Sequence, residues 1–110
     1  MEYHAEISAE LRNAERARQR GNEGQARVCA RRAAGIAIRE YLIRKGIRPP
    51  SQSAMDLLSL IKDDPNFPPD LKLTAHHLTM RVTKEFKLPL DIDLIDAARR
   101  ICNDLLKQNP

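Results

Sequence analysis

The sequence predicts an all-α fold, an up-and-down four-helix bundle with one additional short helix, formed as a single domain over 1–110. Three observations predict it. Apolar residues recur every three or four positions in each long segment, the spacing that lines one face of a helix. No segment alternates apolar and polar residues with the period of two that marks a half-buried strand. The segments are parted by short breaks that each hold Gly or Pro, and short connections set consecutive helices antiparallel.

Helix one is placed at about 3–20 by the stripe Tyr3, Ile7, Leu11 and Ala14, with Arg12, Arg16 and Arg20 on a second line at spacing four. Its acids come early and its bases late, as the helix dipole favours. The turn Gly21-Asn22-Glu23-Gly24 ends it. Helix two covers about 23–45. Val28, Ile36 and Ile43 form one apolar side and Ala30, Ala34, Ile38 and Tyr41 another, the mark of a central helix touched by several neighbours. Ala33, Ala34, Gly35 and Ala37 are small enough to let other backbones approach. Gly46, Pro49 and Pro50 stop it.

Helix three, about 54–63, is short and reads as a connecting piece. Ser53-Ala54-Met55-Asp56 opens it like a capping box with Asp in the acid position. Met55, Leu58 and Lys62 step along one face, beside Leu57 and Ile61. Helix four is placed at about 68–87, with Pro68 and Pro69 in its first turn and the stripe Leu71, Ala75, Leu78, Val82 and Phe86. Helix five, about 93–107, is capped by Asp93 and carries Leu94, Ala98, Ile101 and Leu105.

The net charge of +4 is unevenly spread. Residues 1–48 hold 11 Lys and Arg against 6 Asp and Glu, whereas 49–110 hold 8 against 9. A basic half attracts phosphate or an acidic partner, but arginine also favours helix formation, and a solvated helical surface is the simpler reading. Cys29 and Cys102 sit inside apolar patterns without metal-ligand spacing, as reduced core thiols of a cytoplasmic protein do. No apolar run reaches the ~18 residues of a membrane span, and Met1–Glu6 lack the apolar stretch of a signal peptide.

Little in the chain points to chemistry. His76 and His77 are adjacent, so on a helix they project about 100° apart and do not grip one ion together. No His or carboxylate stands three or four places from either, and no metal site or cofactor is expected. Glu6 and Glu10 lie on one turn-spaced line, but the Glu-x-x-His elements of a di-metal bundle are missing. There is no phosphate-cradling glycine loop, and Cys29 has no nearby His to activate it. A nucleic-acid reading rests on arginines. Arg27 and Arg31 share one edge of helix two, Arg32 and Arg39 another. Aromatic residues for base stacking are scarce, so phosphate contact is the form that binding would take.

In helix order the chain resembles a small prokaryotic member of the HEPN family (higher eukaryote and prokaryote nucleotide-binding). The resemblance is carried by "ARVCARRAAGIAIREYLIRKG" at Ala26–Gly46, "SAMDLLSLI" at Ser53–Ile61, "LTMRVTKEFKLPLD" at Leu78–Asp91 and "DLIDAARRICNDLL" at Asp93–Leu106. It implies a four-helix bundle that forms a homodimer, works beside a nucleotidyltransferase-like protein partner in a toxin–antitoxin-like setting, and touches nucleotide or RNA through Arg81, Lys84 and Lys87. Ribonucleases of that family carry Arg-x(4–6)-His late in the chain. Here Phe86, Lys87 and Leu88 stand at those distances from Arg81, so the resemblance implies a non-catalytic member. Two alternatives stay open: a metal-independent ribonuclease with a degenerate site using His76 or His77, and a plain basic helical nucleic-acid binder using Arg27 and Arg31.

Overall fold

A computed structural model describes residues 2–80 and 93–106, with side chains from His4 onward. The described residues form an all-α bundle of five helices: α1 (Glu2–Gln19), α2 (Glu23–Arg44), α3 (Ala54–Asp63), α4 (Pro69–Thr79) and α5 (Leu94–Leu106). The Tyr3 side chain, the stretch holding Arg81, Val82, Lys84, Phe86 and Lys87, and Asp91 lie outside the described residues.

α1 and α2 form a hairpin whose turn is fixed by local chemistry. Gly21 takes a φ of 78°, which a residue with a Cβ adopts at a cost. Asn22 then caps α2 by accepting a hydrogen bond from the Gln25 N–H at 3.0 Å. Where the two helices meet, Ala14 and Ala17 lie against the alanine side of α2, where Ala26 and Ala30 are also fully covered. Small residues on both sides bring the backbones close, and the core of this half is made of methyl groups.

α2 is the central helix, packed against α1, α3 and α5. On its Ala30–Ala34–Ile38–Tyr41 side the first three are fully buried and Tyr41 is half-buried. The Val28–Ile36–Ile43 side is more open. Val28 and Ile43 are exposed and Ile36 is half-buried, because three neighbours leave one flank of α2 open.

α3 does more than connect. Leu57, Leu58 and Ile61 have at most 1% of their surface exposed, and the helix packs on both α2 and α4. Its cap is a relay rather than a two-residue box. Ser53 Oγ accepts from the Asp56 N–H, Ser51 Oγ donates to Asp56 Oδ2 at 2.8 Å, and the Ser53 N–H donates back to Ser51 Oγ at 3.0 Å. Close approach of α2 and α3 depends on Gly35. A Cβ there would sit 2.9 Å from the Ala54 Cβ and 3.1 Å from its Cα.

α4 is shorter than its apolar spacing suggests. It stops at Thr79, and Met80 is extended, with φ −65° and ψ 141°. The Leu78 carbonyl, in the last turn of α4, accepts from Arg31.

α5 begins on Asp93, whose Oδ1 accepts from the Ile95 and Asp96 N–H groups and from Arg18 Nη1 at 2.9 Å. Arg18 also donates to Glu23, so one guanidinium ties the end of α1 to the starts of α2 and α5. Burial by itself raises the Asp93 carboxyl, but Arg18 and the two N–H donors outweigh it and hold it below its ordinary value of 3.8. A carboxylate depressed in the folded state adds stability that is complete above its unfolded pKa and lost as pH falls through the folded one. Asp93→Ala should therefore cost about 1 kcal/mol at neutral pH, as N-cap removal does. The gap between parent and variant should close below pH ~4, read by urea unfolding at stepped pH.

Candidate functional site

The flank of α2 that the other helices leave open forms one wall of a groove of about 550 Å³. Glu6 and Glu10 of α1 line one side. Arg32 and Arg39 of α2 line the other, with the start of α3 closing the end. Its apolar patch is Val28, Ile36 and Met55. Val28 and Met55 are each 36% exposed, an open position for side chains of that kind.

The charges of this groove do not neutralise one another. Among the described residues Glu6, Glu10 and Arg32 form no ion pair, and Arg39 donates only to Gln52 Oε1, at 3.0 Å. Glu10 goes further. Its Oε1 is covered by neighbouring atoms and accepts no hydrogen bond. Its position explains the burial, since Glu10 falls between Ile7 and Ala14 at helical spacing and so on the face of α1 that turns inward. A buried carboxylate oxygen without a donor loses hydration and recovers nothing.

Arg31 also borders the groove, but its guanidinium points into the bundle. Nε donates to the Leu78 carbonyl at 2.6 Å and Nη2 to the Met80 carbonyl at 2.8 Å. Burial lowers its pKa, and the nearby Arg27 charge lowers it further. Arg31 is thus a clamp from the central helix onto the end of α4. Arg27 is half-buried beside it. The other sequence candidates, Arg81, Lys84 and Lys87, lie outside the described residues, so what is brought together is Arg27 with Arg31 on one edge and Arg32 with Arg39 on the groove.

The histidines do not converge. The His76 and His77 rings are 6.2 Å apart between centroids and tilted by 48°. Burial and then the His76 charge lower the His77 pKa, so its imidazole is mostly neutral at pH 7. His77 shares a cleft between α4 and α5 with Asp70, Asp93, Asp96 and Arg100. Those acids are already engaged. Asp93 caps α5, Asp96 lies 3.7 Å from Arg99, and Asp70 lies 3.7 Å from Arg100. Among the described residues no group of three or more His, Cys, Asp or Glu converges to hold a metal ion. Burial pushes the Cys102 thiol up to about 12, far from the thiolate a nucleophile needs, and Cys29 is 2% exposed. No described helix is long and apolar enough to cross a membrane.

Sequence spacing found both rows of the groove separately, Glu6–Glu10 on one helix and Arg32–Arg39 on another. It did not bring them face to face, because nothing in the sequence states how α1 turns against α2. The clamp by Arg31 carries no local signal either, since its acceptors are backbone carbonyls 47 and 49 residues away. Comparison with protein-family models, curated proteins and solved structures returns no match.

Proposed function

We propose that this chain is a non-catalytic, HEPN-like helical module that acts by association. It pairs with a second copy of itself and docks a protein partner of nucleotidyltransferase-like type, with contact to nucleotide or RNA as a secondary property. The observation that carries the reading is the groove, where an acidic and a basic row lie beside exposed apolar side chains and form no ion pair among the described residues. Charges held apart beside exposed apolar side chains suit recognition of another macromolecule, since complementary potentials set partner choice and register. The sequence adds the missing Arg-x(4–6)-His spacing. Light scattering on the eluting chain should give twice the mass of one copy, and incubation with total RNA should leave it intact. A monomer at every concentration tested would remove the self-association, and cleaved RNA would remove the non-catalytic reading.

One observation favours a second reading. The neutral His77 imidazole and the Arg100 guanidinium border the same cleft, a base and a cation of the kinds used in metal-independent RNA cleavage. If that cleft is the site, cleavage disappears in the double variant His76→Ala, His77→Ala. Simple nucleic-acid binding through the basic half would instead appear as affinity that falls steeply with salt and is lost on Arg27→Ala.

A further inference from the structure

We infer that the α1–α2 groove is the face through which two copies of this chain pair, the acidic row of each lying on the basic row of the other. The inference rests on the self-association proposed above and says where it happens.

Three features of the groove lead to it. The rows have opposite sign and equal number, Glu6 and Glu10 against Arg32 and Arg39, and they border one apolar strip. A two-fold interface must be self-complementary: whatever residue i meets on the mate, the mate's residue i meets in return. An acidic row beside a basic row meets this condition, because rotation by a half turn lays each row on its opposite. A surface of one sign would repel its own copy. The second feature is the Glu10 Oε1 atom, buried and without a donor among the described residues. A guanidinium of the mate supplies one. The terminal carboxylate torsion is broad, so a small rotation turns either oxygen to the groove. The third is the strip itself. Val28 and Ile36 stand four residues either side of Arg32 on α2 and, with Met55, remain partly exposed, so apolar surface lies among the charges and is covered with them on pairing. Arg31, the remaining cation of the wall, is held by α4 and takes no part.

The rows can be exchanged, and this gives the test. One full-length variant carries Glu6→Lys with Glu10→Gln, the other Arg32→Glu with Arg39→Gln. Glu6 and Arg32 are exposed and form no ion pair among the described residues, Glu10→Gln keeps the shape of its side chain, and Arg39→Gln gives up one exposed hydrogen bond to Gln52, so circular dichroism melts should stay near the parent's. In sedimentation equilibrium each variant alone should dimerise at least about tenfold more weakly than the parent, because both copies then oppose rows of like sign. Mixing the two should restore a heterodimer, since each row again faces its opposite. Parent dimerisation should also weaken with added salt. If the parent dimerises and neither variant changes its constant, or if mixing restores nothing, this face is not the interface, although self-association stands. A parent that stays monomeric up to millimolar concentration overturns both. Should either variant melt far below the parent, the single changes Glu6→Lys and Arg32→Glu replace them, with the same expected loss and the same recovery on mixing.

Discussion

Replacement of Gly35 by leucine should lower the melting temperature by about 15 °C, measured by circular dichroism in the far ultraviolet. Gly35 is buried in the middle of α2, and a Cβ at that place would lie 2.9 Å from the Ala54 Cβ and 3.1 Å from the Ala54 Cα. The second distance is to backbone. No rotamer of a neighbour relieves it, and α3 itself must move. That movement loosens Leu57, Leu58 and Ile61, which sit in the main core. Overpacking of this kind costs typically 1–3 kcal/mol, and a leucine lies at the upper end. In a domain of this size each kcal/mol moves the midpoint by roughly 4–8 °C. Alanine at the same position carries two opposing effects. It gains up to about 1 kcal/mol of helix propensity and meets the same close contact, so its loss should be smaller. Gly35→Ala combined with Ala54→Gly should recover only part of that loss, because it removes the 2.9 Å contact with the Ala54 Cβ and leaves the 3.1 Å contact with the Ala54 Cα.

The second large effect belongs to Arg31. Removing its guanidinium in Arg31→Met leaves the Leu78 and Met80 carbonyls without their donor at the end of α4. Hydrogen bonds to a charged group contribute about 1.5–3 kcal/mol each, and part of this is offset because the burial that lowers the Arg31 pKa is itself a cost that disappears with the charge. Methionine keeps the unbranched stem. The net loss should be about 2 kcal/mol in urea unfolding, read as a lower midpoint with an unchanged slope. Arg31→Lys should recover little of it, since one ammonium does not reproduce the fork that reaches two carbonyls at once.

These two residues show where sequence reading ends. The helices were legible because each element is signalled inside itself: Asn22, Ser53 and Asp93 stand at starts, Gly21 and Gly46 at stops, and the apolar spacing lies between. The stripe Leu71–Ala75–Leu78 offers no local stop at Thr79, where the described helix ends beside the carbonyls that Arg31 holds, and Val82 and Phe86 lie outside the described residues. A helical wheel counts apolar sides but not neighbours, so it does not show that Val28 and Ile43 are exposed. Among the described residues α1, α3 and α5 pack along α2, Arg31 reaches the end of α4, and the remaining flank faces the groove. The groove was only half legible for the same reason. Its two rows are local patterns, and their opposition is a property of the packing angle between α1 and α2. In the stretch "RVCARRAAGIAIR", Arg31 and Arg32 are adjacent and chemically identical, and a turn of about 100° sends one into the bundle and the other to its surface.

That pair gives the most direct test of the account, in which α2 organises the fold with one set of its cations and meets another copy with a different set. Arg31→Met and Arg32→Glu should be compared in two measurements on the intact chain: urea unfolding at a concentration where it is monomeric, and sedimentation equilibrium at higher concentration. The two substitutions should have opposite outcomes. Arg31→Met should lose about 2 kcal/mol of stability and keep its dimer constant, whereas Arg32→Glu should unfold within about 0.5 kcal/mol of the parent and dimerise at least about tenfold more weakly. Equal effects of the two substitutions on both measurements would contradict it.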